Sequence, residues 1–201
     1  MRLEQLHPDV FLIHEALTPE RARELITFAE GLGFEPAPVT TAHGPRMIPQ
    51  VRDNTRVMRD DPELAQALFA SLRPLFPERW ERVQESACVG LNERLRFYRY
   101  ARGERFKMHR DGRFERGDGE HSKLTILFYL NEDFEGGHTR ILTAQGELDV
   151  HPCLGSALCF KHELRHEGEP VLEGLKYVLR SDVMYSAAAR GGSRERHSIS
   201  T

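Results

Sequence analysis

The segment from Arg94 to Tyr185 constrains the fold most, because it breaks into short strand-like runs separated by turn residues. Leu95 to Tyr100, Phe106 to His109, Lys123 to Leu130, His138 to Leu142, Glu147 to His151, Ser156 to Phe160 and Lys176 to Tyr185 all read as extended. Ala101-Arg-Gly103, Gly136-Gly137, Gln145-Gly146, Pro152, Gly155, Gly168 and Gly174 punctuate them. Glycine and proline supply the backbone angles that reverse a chain, so such punctuation marks strand ends. Seven or eight short strands at this spacing imply a β-sandwich or jelly roll.

The part before Arg94 has a different texture. Val10 to His14 reads as a short buried strand. Thr18-Pro19-Glu20 has the N-cap, first-turn proline and early acid of a helix start. Leu25, Ile26, Phe28 and Ala29 give that helix an apolar side, and Gly31 and Gly33 stop it. Thr40 to Asn54 reads as a long polar loop leading into a short segment, Val51 to Val57. A second helix opens at Asp61-Pro62, with Leu64, Leu68 and Leu72 four apart on one face, and ends at Pro74 and Pro77. Both helices are expected to buttress a sheet. The expected organisation is a single domain over residues 1–188, with helical support over about 1–90 and a β core over about 92–185. A frayed tail covers 189–201, where apolar residues run out.

Composition sets limits on partners and compartment. A formal charge of -3 gives no reason to expect nucleic acid or an anionic membrane as partner. No apolar run approaches the roughly 18 residues of a membrane span, and Met1 to Val10 lacks a signal pattern. Cys88, Cys153 and Cys159 are odd in number and have no CxxC spacing, which argues against a disulfide framework and a thiolate zinc site. A cytoplasmic setting is expected.

Within the β segment, His109 and Asp111 stand two apart at the end of a strand-like run. Residues i and i+2 of an extended chain point to one face, so an imidazole nitrogen and a carboxylate oxygen can meet one ion. Such a pair is also a common structural hydrogen bond. Downstream, His162 and His166 follow the strand Ser156 to Phe160. Two imidazoles and one carboxylate form a facial set that leaves three positions open and suits Fe(II). Lys176, ten residues beyond His166, opens the last strand. A cation there can hold the far carboxylate of a ligand that chelates the metal.

These pieces occur in the order of a known family. Tyr100, Gly103, Phe106, His109 and Asp111, then Tyr129-Leu130-Asn131, Gly136-Gly137-His138-Thr139, His166-Glu-Gly168 and Gly174-Leu-Lys176 resemble the Fe(II)/2-oxoglutarate-dependent dioxygenases, and within them the prolyl 4-hydroxylase-like group. The resemblance covers roughly residues 92 to 185. It implies a double-stranded β-helix, a cupin-like jelly roll with the metal near its mouth. It implies iron ligands at His109, Asp111 and His166, and Lys176 as the partner of the 5-carboxylate of 2-oxoglutarate. His162 as third ligand would put the lysine fourteen residues away, which suits the pattern less well. Tyr129 and Thr125 are candidate hydroxyl partners of the same carboxylate, with a role as internally satisfied core groups as the alternative. Tyr98 and Tyr100 share a face, and one of them is expected to line the pocket, with Tyr100 as the candidate. Arg180, on the face of Lys176, is expected either to contact co-substrate or substrate or to pair with Asp182. His138 stands where the family usually has Glu, and reads as an edge substitution.

The resemblance further implies O2 as oxidant, ascorbate as reductant, and hydroxylation of an unactivated C–H bond with release of succinate and CO2. The substrate class is a protein or peptide, on a prolyl or other residue, or a small molecule. Gly112 to His121 is expected to form a flexible lid, with a solvated hairpin turn as the alternative. That insert and the Thr40 to Val57 loop are the expected places for substrate contacts, with Arg52, Asn54, Arg56, Asn92 and Arg94 as polar candidates. Two competing readings are a cupin-like divalent-metal protein that does not use 2-oxoglutarate, and a non-catalytic sensing module.

Overall fold

The structure is a computed structural model that describes residues 1–41, 43–77, 80, 82, 83 and 86–187. The expected tail, 189–201, lies outside the described residues. In chain order the elements are β1 (Arg2–His7), β2 (Val10–His14), α1 (Pro19–Leu32), β3 (Glu35–Pro36), β4 (Val39–Thr41), β5 (Gly44–Arg46), β6 (Thr55–Asp60) and α2 (Pro62–Leu72). After a 3-10 turn come β7 (Arg82–Val83), β8 (Ser86–Leu91), β9 (Arg94–Tyr100), β10 (Phe106–His109), β11 (His121–Tyr129), β12 (Glu135–Gly136) and β13 (Thr139–Thr143). The last five are β14 (Gly146–Val150), β15 (Ala157–Lys161), β16 (Arg165–Gly168), β17 (Val171–Glu173) and β18 (Lys176–Tyr185).

Two antiparallel sheets make the jelly roll. The major sheet runs β1-β2-β15-β11-β18-β9-β6-β3, with β7 and β8 attached through β18. The minor sheet runs β10-β16-β13-β14. Strand alternation divides the core in two. On β11, Leu124, Ile126 and Phe128 face the helices, with Leu25 and Ala29 of α1 and Leu68, Phe69 and Leu72 of α2. Tyr129 on the opposite face packs between the sheets with Val10, Tyr98, Tyr100, Ile141, Phe160 and Val178. The space between the sheets is therefore where inward-facing polar groups of β11 and β18 must find partners or a ligand.

Both helices begin as their sequences dictate. The Thr18 hydroxyl accepts from the Arg21 N–H at 3.2 Å, and the Asp61 carboxylate accepts from the Leu64 N–H at 2.9 Å. Gly33 caps the first helix at φ 83°, while Gly31 remains inside it. The N-terminal part is less helical than expected: it also supplies β1, β2, β3, β6 and β8 to the major sheet. Thr40 to Asn54 is partly a small hairpin, β4 with β5, and the segment after it becomes β6, paired along β9.

The expected lid over Gly112 to His121 is a tight hairpin. Arg116 N–H donates to the Glu120 carbonyl at 2.8 Å, and the Arg116 guanidinium pairs with both Glu120 and Glu93. Two ion pairs anchoring its centre are not what a free flap carries. Among the described residues no helix is long and apolar enough to cross a membrane.

Candidate active site

His109 ends β10 and His166 lies on β16, and the two are direct cross-strand partners. His166 is thus held in a strand, not in the loop that its polar surroundings suggest. Asp111 follows β10 and swings back toward both rings. One ligand atom from each of the three residues lies within 4.8 Å of the others. His109 Nε2 is 3.8 Å from Asp111 Oδ1, and His166 Nε2 is 3.4 Å from Asp111 Oδ2.

The tautomers follow from the backbone. His109 Nδ1 lies 2.8 Å from the Lys107 carbonyl, and His166 Nδ1 lies 3.1 Å from the Leu164 carbonyl. A carbonyl only accepts, so Nδ1 carries the hydrogen in each ring and Nε2 keeps its lone pair, aimed at Asp111. Burial pushes the His109 pKa down to about 3, with the nearby His166 adding to the shift. Burial also lowers that of His166, against the pull of Asp111. Both rings are therefore neutral near pH 7. Burial alone would raise the Asp111 pKa, but Arg180, His166, His109 and the Thr125 hydroxyl outweigh it and hold the carboxyl below its ordinary range. Two neutral imidazoles and a carboxylate, each already in its ligating form, fit a divalent iron ion without further proton loss.

A chain of hydrogen bonds orients Asp111. Thr125 Oγ1 donates to Asp111 Oδ2 at 2.5 Å and accepts from His162 Nδ1 at 2.9 Å. His162 Nε2 in turn accepts from the Ser122 hydroxyl at 2.8 Å. Thr125 therefore serves the Asp111 end of the cavity, and not the far carboxylate expected of it. His162, the rival ligand, is buried one bond further out, with both nitrogens engaged. Arg180 Nη1 lies 3.0 Å from Asp111 Oδ1, and Nη2 lies 3.1 Å from Asp182. Arg180 thus makes the expected pair with Asp182, and it also lines the cavity.

The other end of the cavity is lined by Lys176, Tyr100 and Thr139. Lys176 pairs with Tyr100 across β18 and β9. Four strand positions separate it from Arg180, about 13 Å along the chain. Lys176 is 3% exposed, and its amine donates to the Gly137 carbonyl over the rings of Tyr100 and Tyr129. Among the described residues no carboxylate lies within ion-pair distance of it. Burial pushes its pKa down to about 7. A buried amine in that state is stabilised by an incoming carboxylate. Tyr129 donates its hydroxyl to Thr139 at 2.7 Å, so it is satisfied internally in the absence of ligand. Tyr100 lines the same cavity as His109, His166 and Lys176.

The Gly-Gly turn is explained by this end of the site. Gly136 and Gly137 have φ of 70° and 64°. A Cβ at Gly136 would stand 2.7 Å from the Pro170 carbonyl oxygen, and one at Gly137 would stand 3.2 Å from Lys176 Cδ. Glycine is needed both for the backbone angle and for the close approach.

Of the expected substrate contacts, Arg52 and Asn54 are buried and tied to each other by a 2.7 Å hydrogen bond. The Arg52 guanidinium lies 4.4 Å from the centroid of the Phe106 ring, and Phe106 stacks on His109 at 3.5 Å. Two planar groups cannot share one face, so Phe106 is sandwiched between them and keeps Arg52 off the ligand ring. Arg94 is drawn away to Asp60 at 2.9 Å, and the backbone carbonyl of Asn92 accepts from Ser181. Ser122, whose hydroxyl begins the chain to Asp111, carries no sequence signal that could have found it.

Comparisons with known proteins agree with this geometry. The structure is similar to a prolyl-4-hydroxylase from Pseudomonas putida, with a TM-score of 0.65 and 20% identity over 87% of this chain and 91% of that one. It is similar to a Trichoplax adhaerens prolyl hydroxylase in complex with a hypoxia inducible factor peptide fragment, with a TM-score of 0.68 and 17% identity over 87% and 83%. It is also similar to a viral collagen prolyl hydroxylase of Paramecium Bursaria Chlorella virus-1 in its 2OG complex, with a TM-score of 0.62 and 17% identity over 89% and 96%. No curated protein matches the sequence at a significant level. At these identities the structural likenesses establish the jelly-roll fold. Residues 95–181, which contain His109, Asp111, His166, Lys176 and Arg180, match the family model of the 2OG-Fe(II) oxygenase superfamily.

Proposed function

We propose that the protein is an Fe(II)- and 2-oxoglutarate-dependent hydroxylase of a residue, prolyl or other, within a peptide or protein. The observation that carries the reading is the cavity with two complementary ends. One holds two neutral imidazoles with Nε2 directed at a carboxylate. The other holds a buried lysine with no carboxylate, among the described residues, within ion-pair distance. His109, Asp111 and His166 would hold the iron, and Lys176 would hold the 5-carboxylate of 2-oxoglutarate. Bound iron supplies O2 activation, coupled to decarboxylation of 2-oxoglutarate to succinate and CO2, with ascorbate keeping it reduced.

The chain's own residues bind, orient and exclude water. Lys176, recharged by the ligand's carboxylate, sets its position between Tyr100 and Tyr129. Thr125 and Arg180 fix the Asp111 carboxylate from both oxygens. Phe106, stacked on His109, covers one face of that ring. A peptide substrate is supported by the fold's likeness to a prolyl hydroxylase seen with a peptide.

Succinate release tests the reading. Purified protein with Fe(II), 2-oxoglutarate and ascorbate should turn over slowly alone and faster with the correct member of a panel of prolyl and non-prolyl peptides. No succinate under any condition, with iron bound, would reject it.

A further inference from the structure

We infer that His138, Asp149 and His151 form a second metal site, for a divalent transition ion of the zinc type, separate from the triad. The three residues each offer a ligand atom within 4.8 Å of the others. His138 Nδ1 lies 3.2 Å from Asp149 Oδ2, and the rings of His138 and His151 are 3.8 Å apart. Donors that share one ion at about 2.0–2.2 Å in a tetrahedron sit about 3.4 Å from one another. The His138 Nδ1 to Asp149 Oδ2 distance is close to that spacing, and His151 brings a ligand atom within 4.8 Å of both. Glu169 Oε2, 3.7 Å from His138 Nδ1, stands near enough to supply a fourth donor.

Strand register puts this cluster on the opposite side of the minor sheet from the triad. Ile141 pairs with His166, and Thr139 with Val150; Thr139, Ile141, Val150 and His166 are all buried on the inner face. Asp149 alternates with Val150 and so points outward, as do its partner Arg140 and the next strand's Glu167. On the outer face Glu147, Asp149, Glu167 and Glu169 lie around Arg140, which pairs with Glu169 and lies 3.7 Å from both Glu147 and Glu167; Arg165 is a second cation on that face. Two imidazoles with a carboxylate favour Zn(II) over the oxygen-seeking Mg(II) and Ca(II). The plain alternative is a surface ion pair of His138 with Asp149 and Glu169, which needs neither His151 nor a metal.

Zn(II) titration of the metal-stripped full chain by calorimetry separates these. Wild type should bind two equivalents. His151→Ala and His138→Ala should each lose one and keep the other, and His166→Ala should lose the opposite one. Losing a direct ligand should weaken the second site by more than the roughly 10–100-fold typical of an outer-shell change. His151 is exposed, so its replacement leaves the core intact. Zn(II) should also raise the melting temperature of His166→Ala but not that of His151→Ala/His166→Ala. Zn(II) binding by His151→Ala with the stoichiometry and affinity of wild type overturns the inference. Loss in His166→Ala alone would bear on the triad and leave no second site.

Discussion

His162 reaches Asp111 through a single hydroxyl: Thr125 Oγ1 lies 2.9 Å from His162 Nδ1 and 2.5 Å from Asp111 Oδ2. The carboxylate is thereby held in one rotamer, facing two imidazoles. Thr125→Val keeps the shape and removes both bonds, so Fe(II) affinity should fall by about 10–100-fold, as for other outer-shell changes at metal sites. An unchanged affinity would mean that Asp111 is oriented without it.

The two downstream histidines should separate cleanly. His166→Ala should abolish iron binding and succinate formation. His162→Ala should leave both measurable but weakened, because it strips only the second bond of the chain to Asp111. Metal titration and succinate release on the same two variants check this, and the reverse pattern would exchange their roles.

Lys176 predicts a pH profile. Its pKa in the ligand-free protein lies near 7, below the ordinary 10.5, because burial disfavours the ammonium. A carboxylate ligand needs the ammonium and raises that pKa when it binds. Below about pH 7 the KM for 2-oxoglutarate should be flat. Above it the free protein must first take up a proton, so KM should rise by up to about tenfold per pH unit. Lys176→Arg stays charged throughout, and its KM profile should be flat. Lys176→Ala should raise KM by about 10–100-fold, the worth of one charge-assisted hydrogen bond.

The Gly-Gly turn couples stability to that same anchor. Gly137→Ala places a methyl 3.2 Å from Lys176 Cδ at φ 64°. It should raise the KM for 2-oxoglutarate more than it lowers kcat. Gly136→Ala meets the Pro170 carbonyl oxygen at 2.7 Å. It should destabilise the fold by about 1–3 kcal/mol or more, read as a lower midpoint in urea.

Away from the site, Gly155→Ala should cost at least as much. Its Cβ would stand 2.3 Å from the Leu17 carbonyl oxygen, at φ 74°. The Leu17 N–H also donates to the Gly155 carbonyl at 2.9 Å, so the two segments cannot part to make room without losing that bond. A melting temperature equal to wild type would show that this junction is looser than its contacts indicate.

Much of this protein was legible in its sequence, for local reasons. Lys176–Tyr185 was readable as a strand because its aromatic and β-branched residues follow the turn at Gly174. The helix starts were readable because Thr18-Pro19 and Asp61-Pro62 cap themselves. The His109-x-Asp111 pair was readable because a period of two is a property of any extended chain. The strand at Arg165–Gly168 was not, since its polar residues show no alternation and only pairing with β10 and β13 makes it a strand. Nor could spacing tell that Thr125 serves Asp111 instead of the far carboxylate, or that Arg52 is spent on Phe106.

The sequence by itself determined the strands, the capped helices and the types of ligand that the chain can offer, because these depend on neighbours a few residues apart. Only the tertiary structure decided which histidine meets Asp111 and how Lys176 is buried with no carboxylate, among the described residues, within ion-pair distance. It also decided that His138 and His151 meet on the outer face. Those outcomes depend on cross-strand register between segments tens of residues apart, and register is set by the packing of the whole sandwich.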